Sequence, residues 1–347
     1  MSAMSVRDVA ALAGVSVGTV SNVLNDSRPV APATAQKVHE AIEQLGFVRN
    51  DAARQLRVGQ SRTIGMMVLD IANPFFTDLA RGVEDALALT TRSLIFGNSG
   101  EDPVRELGYL DLFEEQRVAG LLISPVGDVL PRLERLRQRG SAVVLVDRDT
   151  EAEAFSSVAV DDRRGGELAA SHLLGLGRTA IAFVGGSTAI TQVRLRIEGA
   201  EAAIAAHGGG AGSSSSGGLR HIPSPSMNSA AGRNGAEQLL RLPAAQRPDA
   251  VFAANDLVAL GVLQAFTAAG IRVPDDIALI GYDDIDFAAS AAIPLSSVRQ
   301  PSREMGRTAT DLLVAEIEAP GEVPRQHVVF QPTLAIRDST AGAAPAS

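Results

Sequence analysis

Apolar residues along the first 45 positions recur at three- and four-residue intervals. Val6, Val9, Ala10 and Ala13 make one stripe, Val20, Val23 and Leu24 a second, and Val38, Ala41, Ile42 and Leu45 a third. This is the period of helices that bury one face. The polar punctuation agrees with it. Ser5 followed by Asp8 fits a helix start in which the serine accepts from the third amide and the acid returns the bond. Gly14 supplies the left-handed backbone of a tight turn, Ser16 caps the next helix, Pro32 opens the third and Gly46 closes it. Three short helices with a glycine turn between the first two predict a helix-turn-helix, whose second helix enters the major groove of DNA. The outer face of that helix carries Val17, Gly18, Thr19, Ser21, Asn22 and Asn25. Such small hydrogen-bonding groups suit contact with a partner better than packing within a bundle.

After Ser61 the period changes. Short apolar runs appear at 64–69, 94–96, 121–123, 143–146, 181–184, 251–253 and 277–280. Helical stretches such as 76–87 and 257–269 lie between them. Alternating strand and helix implies parallel sheets covered on both sides. Seven or more strands over this length suggest two lobes rather than one sheet. Residues 208–218, a run of glycine, serine and one alanine, read as a flexible loop, since no strand–loop–Gly-Lys pattern surrounds them to cradle a phosphate. The tail after Arg337 is small and polar and is expected to be disordered. It has no leucine heptad, so no tetramerisation helix is expected.

In parallel α/β sheets ligands bind beyond the carboxyl ends of strands. Asn73-Pro74-Phe75-Phe76, Asp147-Arg148, Asn255-Asp256 and Asp283-Asp284 each follow one of the apolar runs. Four strand ends thus deliver carboxylates, amides, a guanidinium and two aromatic rings. Sugars are recognised by such a set, with planar polar groups bridging adjacent hydroxyls and rings packing on the apolar face. Each group also has a plain structural reading. Asn73-Pro74 can be a turn, Asp147 and Arg148 a surface pair, Asn255 or Asp256 a helix cap, and Asp283-Asp284 loop formers. Arg196 can be solvated on a helix and Gln300 exposed on a loop. The shared strand-end position favours a site.

Composition narrows the function classes. The 347 residues include no cysteine, which removes disulfides and thiolate chemistry. The five histidines are scattered without metal-ligand spacing, and neither a metal nor a cofactor is expected. No apolar run is long enough to span a membrane and no secretory signal is visible, so a cytoplasmic, non-membrane protein is expected. No nucleophile elbow, Walker motif or metal-spaced ligand set marks an enzyme. The net charge of −9 argues weakly against nucleic acid, but residues 1–60 hold six basic residues against five acidic ones.

The run "VRDVAALAGVSVGTVSNVLND", continuing through "VHEAIEQLGFVRNDAARQLR", resembles the LacI/GalR family of bacterial transcriptional repressors, and the resemblance covers nearly the whole chain. It implies an all-α helix-turn-helix headpiece (1–49) followed by a hinge helix and linker (50–61). An α/β two-lobed periplasmic-binding-protein-like domain of type I (62–337) and a disordered tail (338–347) complete the chain. The lobes would comprise about 62–161 plus 290–321 and about 162–289 plus 322–337, with crossings near Asp161, Ala289 and Gly321. DNA contacts carried over by position are Ser16, Val17, Gly18, Thr19, Ser21, Asn22 and Asn25, then Asn50, Ala53, Arg54, Leu56 and Arg57 of the hinge. Leu56 would act as a minor-groove wedge, with Arg54 and Arg57 on phosphates. Two departures are visible. Ala31 stands where the family usually has a capping serine, and Gly18 offers no side chain for base reading.

The segments "NPFF", "VLVDRD", "VRLRIEG", "VFAANDLVALG", "IGYDD" and "VRQP" resemble ligand-contacting segments of pentose- and hexose-binding relatives. They imply effector contacts at Asn73, Phe75, Phe76, Asp147, Arg148, Arg196, Asn255, Asp283 and Gln300. The expected partners are a near-palindromic operator, a sugar or sugar derivative, and a second copy of the chain. A homodimer would form through 62–337. A sugar receptor without DNA function and a purine- or nucleoside-responsive regulator are the alternatives. The absence of Trp and the presence of only two Tyr make a purine pocket the weaker of the two ligand readings.

Overall fold

The computed structural model describes residues 4–25, 28–47, 61–148, 154–208 and 218–341. The chain divides into two compact units, 1–61 and 62–347. The first holds α1 (Val6–Ala13), α2 (Val17–Asn25) and α3 (Pro32–Leu45). Val9, Ala10, Val20, Val38 and Ala41 form its core, with Val6, Ala13, Val23, Leu24, Ile42 and Leu45 packed around them. The Asp8 carboxylate accepts from the Ser5 amide at 2.8 Å and from the Ser5 hydroxyl at 2.7 Å, tying down the start of α1. Gly14, at φ 65, makes the turn into α2. Ala31 leaves the start of α3 without a side-chain cap.

The second unit contains β1 (Thr63–Val68), α4 (Pro74–Leu87), β2 (Ser93–Asn98), α5 (Pro103–Glu115), β3 (Gly120–Ile123) and α6 (Leu130–Gln138). It continues through β4 (Ala142–Val146), β5 (Ser156–Val160), α7 (Asp162–Gly175), β6 (Ile181–Val184), α8 (Thr191–Gly208), β7 (Arg220–Ile222) and α9 (Ser229–Leu240). It ends with β8 (Ala250–Ala253), α10 (Asp256–Ala268), β9 (Ala278–Asp283), α11 (Asp286–Ala289), β10 (Ser296–Arg299), α12 (Ser302–Glu318), β11 (His327–Phe330), β12 (Thr333–Ala335) and α13 (Asp338–Ala341). One sheet has the order β11-β5-β4-β3-β1-β2, the other β12-β10-β9-β8-β6-β7. The pairing is parallel throughout, except that β12 runs antiparallel to β10. We call these the N-terminal and C-terminal lobes. Strands such as β3, β5, β6 and β8 are buried along their whole length, as sheets covered on both faces require.

Sheet membership corrects the expected crossings. β10 pairs with β9 and so belongs to the C-terminal lobe, which moves the second crossing from near Ala289 to between β10 and α12. β11 pairs with β5 in the N-terminal lobe, which moves the third from near Gly321 to between β11 and β12. β10 reads Ser-Ser-Val-Arg and carries no apolar run, yet its serines are buried because partners wait for them. The Ser297 hydroxyl donates to Asp256 at 2.7 Å, and Ser296 Oγ lies 2.6 Å from Thr340 Oγ1.

That last contact also corrects the expected tail. Residues 338–341 are helical, and Ser339 is fully buried, donating to the Leu279 carbonyl at 2.6 Å. Residues 342–347 lie outside the described part.

Candidate functional site

Two surfaces carry the residues singled out in the sequence. On the headpiece, Ser16 both caps and begins the outer face of α2. Its Oγ accepts from the Thr19 amide at 3.0 Å and lies 2.9 Å from the Thr19 hydroxyl. Ser16, Val17 and Gly18 are exposed, Thr19, Ser21 and Asn22 half-buried. An exposed Val17 beside a buried Val20 shows that the two faces of α2 are divided as its sequence pattern requires. The side chain of Asn25 and the hinge residues Asn50, Ala53, Arg54, Leu56 and Arg57 lie outside the described residues.

In the second unit, the carboxyl ends of both sheets meet across a cleft. Asn73, Phe75, Phe76, Asp147, Arg196, Asn255, Asp283 and Gln300 line one cavity there. All eight are buried. The start of α4 delivers the first three. The Asn73 side chain accepts from the Phe75 amide at 3.1 Å, which caps the helix and sets the two rings edge to face at 5.0 Å. Asp283 ends β9 at φ 102 and accepts from Asn73 Nδ2 and from Gln300 Nε2, each at 2.8 Å. Asn255 caps α10 through its oxygen and donates to the Met227 carbonyl at 3.0 Å.

Arg196 is fixed on three sides. It donates to Asp162 at 2.7 Å and to the Ala254 carbonyl at 2.7 Å, and its guanidinium lies 3.5 Å above the centre of the Tyr282 ring. Burial alone would depress its pKa, but Asp162, with Tyr282, Asp283 and Asp147, outweighs that and keeps it charged. The acids respond oppositely. Burial drives Asp147 well above the usual carboxylate range, and repulsion from Asp162 adds to it, against the attraction of Arg196. Burial raises Asp283 to about 6 even though Arg196, Asn73 and Gln300 favour its charge.

Two oxygens at the cavity, Asp147 Oδ1 and Gln300 Oε1, are buried without a hydrogen-bond partner. A buried polar atom left unmade costs on the order of 1–3 kcal/mol, so the site favours a ligand whose groups both donate and accept. The closed space is about 20 Å³. That is close to the room one water needs, so a larger ligand enters only when the lobes part, before they close on it.

Arg148 does not join the site. The chain turns at Asp147, φ 56, and successive side chains diverge there. Arg148 donates to the Gly127 carbonyl at 2.9 Å and supports the loop after β3 instead. The sequence reading also missed Gln192, Met227, Leu69 and Ile190, which line the cavity. Gln192 lies one helical turn before Arg196, an i, i+4 relation that places both on one face of α8. It donates to Asp147 Oδ2 at 2.9 Å and to the Asp147 carbonyl.

A helix-turn-helix unit followed by a two-lobed α/β unit with a buried polar cavity in its cleft defines a ligand-controlled DNA-binding protein. Comparison with known proteins makes this specific. The family "Bacterial regulatory proteins, lacI family" matches residues 5–50, and the "Periplasmic binding protein-like domain" matches residues 170–340. The ribose operon repressor of Escherichia coli (strain K12) is 37% identical, covering 96% of this chain and 99% of its own length. A solved LacI family transcriptional regulator from Enterococcus faecium with bound ribose is 30% identical at a TM-score of 0.71, covering 81% of this chain and all of its own. The lac repressor dimer bound to operator and an anti-inducer is 25% identical at a TM-score of 0.79, covering 98% of this chain. The chain belongs to the lacI family of bacterial regulatory proteins. It is a DNA-binding transcriptional regulator controlled by a small-molecule effector.

Proposed function

We propose that this regulator is a cytoplasmic repressor that binds a near-palindromic operator as a homodimer and responds to a monosaccharide, with ribose the first candidate. The carrying observation is the pair of unpartnered buried oxygens, Asp147 Oδ1 and Gln300 Oε1, in a cavity that also presents Phe75, Phe76 and the Arg196 guanidinium. Vicinal hydroxyls on an uncharged ring meet that set, whereas a phosphate or carboxylate would face Asp147 and Asp283. Ribose is named because a 37% identical relative is a ribose operon repressor and a 30% identical relative was solved with ribose.

On DNA, Val17 and Asn22 read base edges, while Ser16, Thr19, Ser21 and Asn25 position α2 on phosphates. Gly18 allows close approach. The hinge residues Asn50, Ala53, Arg54, Leu56 and Arg57 grip the minor groove. Cytoplasmic action follows from the DNA target, and among the described residues no helix is long and apolar enough to cross a membrane. A gel-shift titration on an operator-like palindrome, with ribose, glucose and a purine base as additives, tests the reading. Ribose is expected to change operator affinity by a coupling of about 1–3 kcal/mol, the others by much less. A response to the purine alone, or to no sugar, overturns it.

A further inference from the structure

Side-chain hydrogen bonds cross the cleft at Asn73–Asp283, Gln192–Asp147 and Glu101–Met227. In the first two, the acceptors are cavity acids for which a ligand competes. The third is different. Glu101 comes from the N-terminal lobe just after β2, in a left-handed conformation at φ 61 that Gly100 precedes, and its own amide donates to the Leu69 carbonyl at 3.0 Å. Its side chain does not line the cavity. Its Oε1 accepts from the Met227 amide of the C-terminal lobe at 3.2 Å, and Met227 does line the cavity. The Met227 carbonyl in turn accepts from Asn255, the cap of α10 and another cavity residue.

We propose that Glu101 is a positioning residue for the effector site. From the opposite lobe its carboxyl holds the Met227 backbone against Asn255 and so governs how tightly the cleft closes on its ligand. This rests on reading the cavity as an effector site. Glu101 Oε2 is buried without a partner, so closure strips water from this acid and returns a single hydrogen bond. Asp70 faces it with like charge, Asp102 follows as the cap of α5 and Arg105 lies on that helix beside Gly100. The 223–228 segment across the cleft brings no ionisable group. Burial accordingly lifts Glu101 to about 7, with Asp70 adding and the Met227 amide opposing. Opening the cleft restores water and the ordinary value near 4.5. The closed form then holds the proton more tightly, so closure is favoured at low pH and this advantage is lost as pH rises through about 7.

The test uses the full-length protein, with Glu101→Gln and Glu101→Ala beside wild type. Calorimetry with D-ribose at pH 6 and pH 8 gives the affinity, and hydrogen exchange of the 224–230 backbone without sugar gives the positioning. Wild type should bind ribose more tightly at pH 6 than at pH 8, by up to about tenfold. Glu101→Gln keeps the acceptor and loses the charge. It should bind with a flatter pH profile, any remaining slope belonging to Asp147 and Asp283, and should retain exchange protection at Met227. Glu101→Ala should lose that protection and bind several-fold more weakly at both pH values. The proposal is overturned if Glu101→Gln keeps the wild-type pH slope, or if Glu101→Ala leaves Met227 protected. A wild type that binds no ribose at any pH overturns the pentose reading instead, and the exchange measurement still decides the role of Glu101.

Discussion

Asp147 combines three properties that single residues seldom share. Its backbone is left-handed, its carboxyl is fully enclosed, and one carboxylate oxygen has no partner. Its raised pKa means that the folded protein prefers it protonated, so its contribution to stability falls as pH rises above the ordinary 3.8. Asparagine tolerates the same backbone conformation and keeps an oxygen for Gln192. Asp147→Asn should therefore raise the melting temperature, more at pH 8 than at pH 6. It should also weaken ribose binding by about 0.5–1.5 kcal/mol, the value of a neutral hydrogen bond, because the amide nitrogen that replaces one carboxyl oxygen cannot accept. Thermal melts at the two pH values and one calorimetric titration check this. A lowered melting temperature with unchanged ribose affinity would remove Asp147 from the site. Arg196→Ala is a poorer probe, since it leaves Asp162 buried and unpaired and so mixes binding with stability. This residue-level chemistry was half legible in the sequence. The strand-end rule found Asn73, Asp147, Asn255 and Asp283 because the sheet direction alone puts them there. It misassigned Arg148 because adjacency in sequence says nothing of where a turn sends the next side chain. It missed Met227 because nothing local marks a loop residue that folds over a distant cleft.

The helices that carry the site touch backbone to backbone. A Cβ on Gly166 of α7 would lie 2.0 Å from the Arg196 carbonyl, and one on Gly199 of α8 1.9 Å from the Arg163 carbonyl. These glycines let α8 approach α7 closely enough for Arg196 to reach Asp162. Alanine would favour the helix by up to about 1 kcal/mol. The clash is with main chain that cannot swing aside, and overpacking of this kind costs about 1–3 kcal/mol. Gly166→Ala should thus destabilise the protein in urea unfolding and weaken ribose binding as Arg196 shifts. A gain in stability would show that the helices have room to spare. The same scale separates the elements that hydrophobic pattern reveals from those it hides. Strands β1, β3, β4, β6, β8 and β9 coincide with apolar runs because both faces of each are covered, while β2, an edge strand, carries its run with Phe96 exposed. β10 was invisible because its burial is satisfied by hydroxyls, Ser297 on Asp256 and Ser296 on Thr340. β7, β11 and β12 are edge strands, three or four residues long and only partly buried; β7 carries no apolar run, and the run Val328-Val329-Phe330 of β11 was passed over. The misplaced crossings follow directly from these omissions.

At the scale of the whole molecule, the proposed binding to a near-palindromic operator calls for joining two headpieces, because one helix-turn-helix buries little surface and linked half-sites gain avidity of roughly 10²–10⁴. The N-terminal lobe offers a surface suited to this. Phe96 on β2 and Val104, Leu107 and Leu112 on α5 are exposed, Val104 by 77%. Exposed apolar groups gathered on one edge strand and its neighbouring helix mark an interaction face rather than scattered surface residues. The fragment from Ser61 onward should therefore sediment as a dimer at micromolar concentration. Val104→Asp should break it. The new carboxylate falls in the first turn of α5, where the helix dipole favours negative charge, so folding should be preserved while the interface acquires two desolvated acids. The full-length variant should bind ribose as wild type does, yet lose operator affinity by at least tenfold, as sedimentation beside a gel shift would show. A Val104→Asp protein that remains dimeric and binds the operator normally would place the contact between copies elsewhere on the lobe.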